Sequence, residues 1–317
     1  MASALASQVT ALTELAKEVK EYASHAKAPN TMKAYRSDVA HFVAWCDSYG
    51  LSSLPAVPET LAGYIAYMAP FYTVSTIQRR LSAISQAHQM KGLANPASST
   101  LVKLTMQGIR RAKGTAPTQK APAVTQDVQA MVATLPDNLL GLRDRALLLL
   151  GFAGAFRRSE LVGLDVEDVE ECAEGLRVTL RRSKTDQEGE GVVKGIPMGR
   201  REETCPVRAL KAWLEAAGIT EGPIFRPVNR HGQVQPGRLS DKAVALVVKR
   251  TAAAAGLDAA KYSGHSLRAG LATSAAAAGV QERSIMRQTG HKSVNMVRRY
   301  IREGELFRDN AAGQVGL

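Results

Sequence analysis

The stretch SGHSLRAG, residues 263–270, places His265 and Arg268 three positions apart, so that both project from one face of a helix. Ser263 is a suitable N-cap, which predicts that the pair lies in the first helical turn, where backbone N–H groups favour an anion. Most His-x-x-Arg pairs are incidental surface pairs. An anion site here is therefore a hypothesis that needs further residues.

A second stretch, GHKSVNMVRRYIREG (residues 290–304), sets Tyr300 among arginines, with His291 nine positions upstream. A core tyrosine on a helix with a basic, solvated face would also explain this pattern. A phenol has a pKa near 10, so it becomes a nucleophile at neutral pH only beside cations and a general base. The surroundings of Tyr300 are of that kind.

Composition and charge indicate a mainly helical protein with a polyanionic partner. The chain has 317 residues, enough for two domains, with 45% hydrophobic but only 5% aromatic residues. Its net charge of +12 and its pI near 9.8 favour DNA or RNA, with a membrane surface as the competitor. We find no 18-residue apolar run and no basic region at the N-terminus typical of a signal peptide. We therefore expect a cytoplasmic nucleic-acid binder and no membrane partner.

Several kinds of site lack their sequence patterns. Cys46, Cys172 and Cys205 are scattered, which indicates free thiols in a reducing compartment. There is no HExxH, and no third ligand lies at usable spacing from His265 or His291. P-loop, GxGxxG and GxSxG patterns are absent as well. We expect no metal and no cofactor.

The segment KGTAPTQKAPAV, residues 113–124, is rich in proline and polar residues and predicts a linker. It divides the chain into an N-terminal domain, 1–112, and a C-terminal domain, 125–317. The first 120 residues hold 13 Lys or Arg against six acids, so they carry +7 of the net +12. Both parts are basic, which suggests that both contact the same polymer.

The N-terminal domain has the pattern of a four-helix bundle. One helix follows an Asn30 or Thr31 cap, and three more are predicted at 58–69, 74–91 and 98–113. Ser75 is a suitable cap for the third helix, whose first turns hold Gln78, Arg79 and Arg80. Such side chains suit contacts in the major groove of DNA. A helix face that is only solvated would explain them about equally well.

The C-terminal domain is predicted to be mostly helical with one small sheet. Two alternating segments, 175–185 and 191–198, flank the turn DQEGEG and predict antiparallel strands. Helical patterns cover 125–134, 142–155, 206–217, 239–255 and 265–278. The predicted fold class is mainly α: an N-terminal helical bundle followed by a mostly α domain with a small antiparallel β-sheet.

The residues that remain form a possible phosphate clamp beside a phenol: Arg157 or Arg158, Lys184, His265, Arg268, His291 and Tyr300. Two guanidiniums can hold both non-bridging oxygens of a phosphodiester and stabilise a pentacoordinate transition state. A lysine in the turn between strands can protonate a leaving oxygen. The side chains supply the positive charge, so this chemistry requires no metal.

This constellation resembles the tyrosine site-specific recombinases, the phage integrase family, and within it the Cre-like subgroup. The motif AFRRSEL matches the family's first box and selects Arg157 over Arg158, with Glu160 as supporting acid. RRSKTD supplies Lys184, GHSLRAG supplies His265 and Arg268, and GHKSVNMVRRY supplies His291 and Tyr300. The resemblance implies that Tyr300 attacks the phosphate, that the arginines and His291 hold it, that His265 accepts the phenol proton, and that Lys184 protonates the leaving oxygen.

The resemblance further implies a core-binding (SAM-like) N-terminal domain and a catalytic C-terminal domain. Strands would be exchanged between two inverted-repeat sites in double-stranded DNA through a 3′-phosphotyrosyl intermediate and a Holliday junction, with a homotetramer on the two sites. The expected DNA contacts are Thr31, Lys33, Arg36, Ser75, Gln78, Arg79, Arg80 and Lys242. Two alternatives are a type IB topoisomerase and a DNA-binding regulator without catalytic activity.

Overall fold

The computed structural model describes residues 28–114, 119–181, 191–291 and 293–304, with a few positions nearer the ends (14–15, 17–19, 22 and 315). The chain divides into two compact units, Met1–Thr118 and Gln119–Leu317. In the described part of the chain, no helix is long and apolar enough to cross a membrane.

Four helices form the described core of the first unit: α1 Pro29–Ser48, α2 Pro58–Met68, α3 Val74–Met90 and α4 Thr100–Lys113. Proline begins α1 and α2, where its fixed φ suits the first turn and its missing N–H costs nothing. Phe42, Tyr64 and Ile84 are among the buried side chains that join α1, α2 and α3 into one core.

The predicted N-caps of this unit are wrong. α1 begins at Pro29, one residue before Asn30, and its N-cap Ala28 has no capping side chain. α3 is capped by Thr73, whose Oγ1 accepts from the Thr76 N–H, and not by Ser75. In both cases the helix begins upstream of the predicted cap, so that residue lies inside the first turn, where its side chain cannot fill the N-cap position.

The second unit contains eight helices of the described chain around a three-stranded sheet. The helices are α5 Thr125–Ala133, α6 Leu139–Ala153, α7 Arg158–Gly163, α8 Pro206–Ala217, α9 Asp241–Ala254, α10 Ser266–Ala277, α11 Glu282–Thr289 and α12 Val294–Gly304. The strands are β1 Val169–Cys172, β2 Gly175–Leu180 and β3 Val192–Pro197.

The sheet has the order β1-β2-β3, with both pairs antiparallel. On β3 the alternation turns Lys194 and Ile196 to the buried face, and Lys194 lies opposite Val178 of β2. β1 was not predicted, because VEEC has no apolar alternation. The turn DQEGEG lies outside the described residues except for its last glycine, Gly191.

Helix α6 is the centre of the second core, with Ala146 to Leu150 all buried. Gly270 of α10 allows close approach of the segment before α5, because a Cβ there would lie 1.7 Å from the carbonyl oxygen of Ala123. Ala121 and Ala123 donate backbone hydrogen bonds to Lys261 and Ser266, so the end of the predicted linker segment packs on the second unit.

The predicted fold class is confirmed: the chain is mainly α, with a helical first unit and a small antiparallel sheet in the second. The predicted helices differ from the observed ones by at most three residues at either end, and no range was predicted for α7, α11 or α12.

Candidate active site

The turn between α6 and α7 presents Arg157. This residue is the N-cap of α7, and its side chain is 18% exposed. Glu160, which is buried, accepts from the Arg157 backbone N–H at 2.9 Å and from its Nη1 at 2.5 Å. The carboxylate therefore holds both the main chain and the guanidinium of Arg157.

Arg158, the adjacent candidate, has different surroundings. Its Nη2 lies 3.7 Å from Asp241 Oδ2, and both side chains are about half exposed. Its stem lies against Gly264, where a Cβ would be 2.2 Å from Arg158 Cδ. The two arginines thus diverge, and Arg157 alone is paired with Glu160.

Arg268, on the first turn of α10, is 1% exposed. Its Nη1 donates to the carbonyl oxygen of Ala155 at 2.8 Å, while its Nη2 is buried without a hydrogen-bond partner among the described residues. Burial, followed by the charge of Arg157, lowers the pKa of Arg268 to about 10. Two like charges held together with a buried donor unpaired are suited to an anion.

His265 is the N-cap of α10 and is exposed, three positions before Arg268. The predicted Ser263 cap is wrong, because α10 begins at Ser266. The Ser263 hydroxyl instead accepts from the His265 N–H at 3.2 Å, and the Ser266 hydroxyl accepts from the Ser263 N–H at 2.9 Å. These bonds fix a turn that carries His265 at the end of the helix.

His291 follows α11 and is buried. Thr289 Oγ1 donates to the Ile285 carbonyl, so it accepts from His291 Nδ1 at 2.8 Å, and this contact assigns the ring proton to Nδ1. Burial, then the charges of Arg268 and Arg157, lower the pKa of His291 to about 4. The neutral ring therefore has an unprotonated Nε2 in a strongly positive environment.

Tyr300 lies on α12 and packs partly buried against a small cluster that includes Ala272, Ile285 and Val297. Its ring centroid is 5.9 Å from that of His291. Tyr300 is close enough to Arg268 that its ionised form would raise the pKa of the guanidinium. The structure therefore brings Arg157, Glu160, Arg268, His291 and Tyr300 together, with His265 at the edge of the group.

Lys184 lies outside the described residues. Sequence reasoning missed another lysine, Lys194, which is buried behind the site and donates to the carbonyl oxygens of Gly154 and Gln288, each at 2.7 Å. The alternation of β3 was the available signal, because Lys194 is two residues from the apolar Ile196 and must share its face.

Most of the expected DNA contacts are accessible in the structure. Lys33, Arg36, Ser75, Gln78, Arg79 and Lys242 are exposed, and Thr31 is partly buried. Arg79 Nη2 also lies 2.9 Å from Asp38 Oδ1, with half of its side chain exposed. These residues keep the exposure that a contact with DNA requires.

The expectation that Arg80 contacts DNA is wrong. Its side chain is buried, with the guanidinium carbon 4.2 Å from the Tyr72 ring centroid and Nη1 3.1 Å from Met68 Sδ. Its Nε lies 3.5 Å from Asp38 Oδ1. Successive side chains of a helix project in different directions, so Arg80 points into the bundle although Arg79 is exposed. Arg80 is therefore a core residue and not a DNA contact.

Among the described residues, no group of three or more His, Cys, Asp or Glu side chains is arranged to hold a metal ion.

Two family descriptions match the chain. Residues 124–305 match the phage integrase family, and residues 19–92 match the phage integrase N-terminal SAM-like domain.

Relatives match over most of their length. An integrase/recombinase xerD homolog of Selenomonas ruminantium is 44% identical, covering 95% of this chain and 89% of that protein. Recombinase cre of Escherichia phage P1 is 27% identical over 86% of this chain and 84% of its own length. Tyrosine recombinase XerC of Myxococcus xanthus is 25% identical over 92% and 94%.

Solved structures share the fold. A lambda integrase dimer bound to a COC′ core site superposes with a TM-score of 0.61 at 17% identity, covering 94% of this chain and 78% of that one. A lambda integrase tetramer bound to a Holliday junction superposes with a TM-score of 0.60 at 17% identity, over 93% and 78% of the two chains.

Proposed function

The chain belongs to the phage integrase family, and on that premise we propose that it is a site-specific recombinase that exchanges strands between two copies of an inverted-repeat DNA site. As a tyrosine recombinase it breaks and rejoins DNA strands. The predicted family is thus confirmed, and the Cre-like subgroup has the 27% identity to Cre in its favour.

The observation that carries the proposal is the unpaired, buried Nη2 of Arg268 beside Arg157 and Tyr300. Burying a cationic donor without a partner is costly, and an anion bound beside Arg157 and Arg268 would supply the missing acceptor. A phosphodiester has two non-bridging oxygens that share its negative charge, one for each guanidinium, and its phosphorus would then lie within reach of the phenol.

In the proposed cleavage step, the Tyr300 hydroxyl oxygen forms a bond to phosphorus as the bond from phosphorus to the 5′-oxygen breaks. The phenol proton passes to His265, and Lys184 gives a proton to the departing 5′-oxygen. Arg157 and Arg268 hold the two charged oxygens, and Glu160 holds Arg157. The products are a 3′-phosphotyrosyl bond and a free 5′-hydroxyl.

His291 would donate to the phosphate in its protonated form. Its low pKa in the free protein reflects burial and surrounding cations, and a phosphate anion at the clamp offsets those charges. The proposal therefore has His291 gain a proton on Nε2 as DNA binds, while Nδ1 stays hydrogen-bonded to Thr289.

The energy of the broken phosphodiester is retained in the phosphotyrosyl bond, so a 5′-hydroxyl of a partner strand can reverse the step without ATP. Exchange at two sites through a Holliday junction requires four active sites, so we include a homotetramer on two DNA duplexes, acting in the cytoplasm. The lambda integrase tetramer on a Holliday junction supports this assembly as a precedent in the same fold. The recombinase names of the relatives favour this function over a type IB topoisomerase.

The test is a Tyr300→Phe variant. The cleavage position is first mapped with wild-type protein on DNA flanking the gene in its source replicon, and a nicked suicide substrate is then made from that site. We expect wild type to form a covalent protein–DNA complex and Tyr300→Phe to form none while binding the site within about threefold, because only the hydroxyl is removed.

Tyr49→Phe is the matched control, since Tyr49 is an exposed tyrosine of the first unit, and it should cleave as wild type does. A covalent complex formed by Tyr300→Phe would exclude Tyr300 as the nucleophile.

A further inference from the structure

The turn that carries Arg157 into the site has an unusual backbone. At the end of α6, the Ala155 N–H donates to the Phe152 carbonyl and the Phe156 N–H to the Gly151 carbonyl, the two bonds of a Schellman motif. The left-handed residue of this motif is usually glycine, but here it is Ala155, with φ of 45°. A strained residue at such a position persists only where its surroundings hold it.

Three consecutive carbonyl oxygens of this turn each accept a hydrogen bond from a side chain of another element. Gln288 Nε2 of α11 donates to Ala153 at 2.7 Å, and Lys194 Nζ of β3 donates to Gly154 at 2.7 Å. Arg268 Nη1 of α10 donates to Ala155 at 2.8 Å. Arg157 follows two residues after the last of these carbonyls.

Lys194 and Gln288 also link strand β3 to the end of α11. Lys194 Nζ donates to the Gln288 carbonyl at 2.7 Å, and Gln288 Nε2 lies 3.2 Å from the carbonyl oxygen of Gly195, the residue after Lys194. The pair thus ties three segments together: the end of α6, strand β3, and the end of α11. His291 follows three residues after Gln288.

The position of the ammonium explains why a lysine is tolerated in this interior. Its Nζ lies at the C-terminal ends of both α6 and α11, where unpaired carbonyls and the helix dipoles favour a cation. Burial is the largest influence on the pKa of Lys194 and lowers it to about 8, while Glu160 raises it and Arg268 and Arg157 lower it, so the ammonium is still the main form at pH 7. The same carbonyls would be left unsatisfied if the ammonium were removed.

We propose that Lys194 and Gln288 are positioning residues, which hold the turn at 153–155 and the end of α11 in register so that Arg157 and His291 converge on one phosphate. Neither side chain needs to touch DNA for this role. The inference rests on the proposed function, since it assigns a role in the same cleavage step. A helix-capping role alone would affect stability, whereas the positioning role affects the rate of cleavage in a folded, DNA-bound protein.

The experiment compares Lys194→Met and Gln288→Met with wild type in the full-length chain. Methionine keeps the unbranched stem and removes the donors. Lys211→Met is the matched control, because Lys211 is an exposed lysine of the same unit, paired with Glu171. Half-site affinity and the single-turnover rate of covalent complex formation at saturating protein are measured on the suicide substrate.

We expect Lys194→Met to lower the saturated cleavage rate by about 10- to 100-fold and Gln288→Met by about 3- to 10-fold, as loss of a supporting hydrogen bond does at other sites. Half-site affinity should stay within about threefold. The double variant should lose less than the product of the single losses, because both residues hold one turn. Amide exchange should speed up at 153–161 in Lys194→Met and stay unchanged in α8.

If wild type itself forms no covalent complex, the proposed function fails and not this inference. If wild type cleaves and both folded variants cleave within about twofold of it at saturation, the positioning role is wrong. If Lys194→Met does not fold, the Gln288→Met variant is the test, because Gln288 is only half-buried. A saturated cleavage rate within about twofold of wild type in that variant would then show that the positioning role is wrong. A loss confined to affinity would likewise overturn the proposal.

Discussion

Adjacent arginines at 157 and 158 have different environments, although their residue type is the same. Arg157 is paired with the buried Glu160, whereas Arg158 reaches the exposed Asp241 at 3.7 Å. Residue type and charge do not distinguish them, and the choice of Arg157 from the sequence depended on the family motif AFRRSEL; in the structure Arg157 is the N-cap of α7 and Arg158 its first residue. The distinction lies in the direction of each side chain.

This difference makes a prediction with its own control. Arg157→Ala should lower the saturated cleavage rate by about 10²-fold or more, because it removes a donor to the transition-state anion. Arg158→Ala should stay within a few-fold at saturation. Single-turnover cleavage of the suicide substrate measures both, and equal losses in the two variants would contradict the assignment of Arg157.

His291 makes a second prediction, on stability against pH. Its pKa is about 4 in the folded protein and near 6.5 when unfolded, so between these values the unfolded state binds more protons. Stability is therefore lost as pH falls from 6.5 to 4. We expect wild type to lose on the order of 1–3 kcal/mol more of its free energy of unfolding than His291→Gln over this window.

Urea unfolding followed by Trp213 fluorescence, in a Trp45→Phe background, measures this loss in the second unit. Other groups titrate alike in both proteins and cancel in the comparison. Parallel curves for wild type and His291→Gln would show that the burial of His291 does not perturb its titration.

At the scale of elements, α3 places two arginines on different sides of the bundle. Arg80 is buried beside Tyr72, Met68 and Asp38. Arg79 forms an ion pair with Asp38, and half of its side chain is exposed. We expect Arg80→Ala to lower the free energy of unfolding of the first unit by about 3 kcal/mol, because it leaves a buried carboxylate with less compensation. Arg79→Ala should cost less than about 1 kcal/mol.

Unfolding of the first unit is followed by Trp45 fluorescence in a Trp213→Phe background. For DNA recognition the order of the two effects should be reversed, with Arg79→Ala having the larger effect. Arg79→Ala should change base preference on a panel of site variants. A uniform loss of affinity across all sequences would show that Arg79 contacts a phosphate instead. An Arg80→Ala protein as stable as wild type would show that its burial contributes nothing to the fold.

At the scale of the whole molecule, both units are basic, and the net charge is +12. We expect half-site affinity to fall by about 10³- to 10⁵-fold between 50 and 200 mM salt if about six to ten phosphates are neutralised. Arg36→Ala in the first unit and Lys242→Ala in the second should each reduce the salt slope by about one.

Fluorescence anisotropy of a labelled half-site over a salt series provides the slopes. Lys211→Ala, outside the expected contacts, should leave the slope unchanged. If only one of the two contact variants alters the slope, only that unit contacts the phosphates at the substituted position.

The amino-acid sequence by itself determined the family, the fold class, and the residues Arg157, Glu160, His265, Arg268, His291 and Tyr300 as a candidate set. These depend on local patterns: helical periodicity, alternation on β2 and β3, and short motifs whose members lie within about ten residues of one another. Their order along the chain was enough to recognise the combination.

Only the tertiary structure decided the surroundings of these residues. Arg268 meets Ala155 across 113 positions of sequence, Gln288 meets Ala153 across 135, and Lys194 meets Gln288 across 94. Arg80 is likewise buried by residues of other helices. No local pattern encodes such pairs, because packing of distant elements creates both the burial and the hydrogen-bond partners that give each side chain its role.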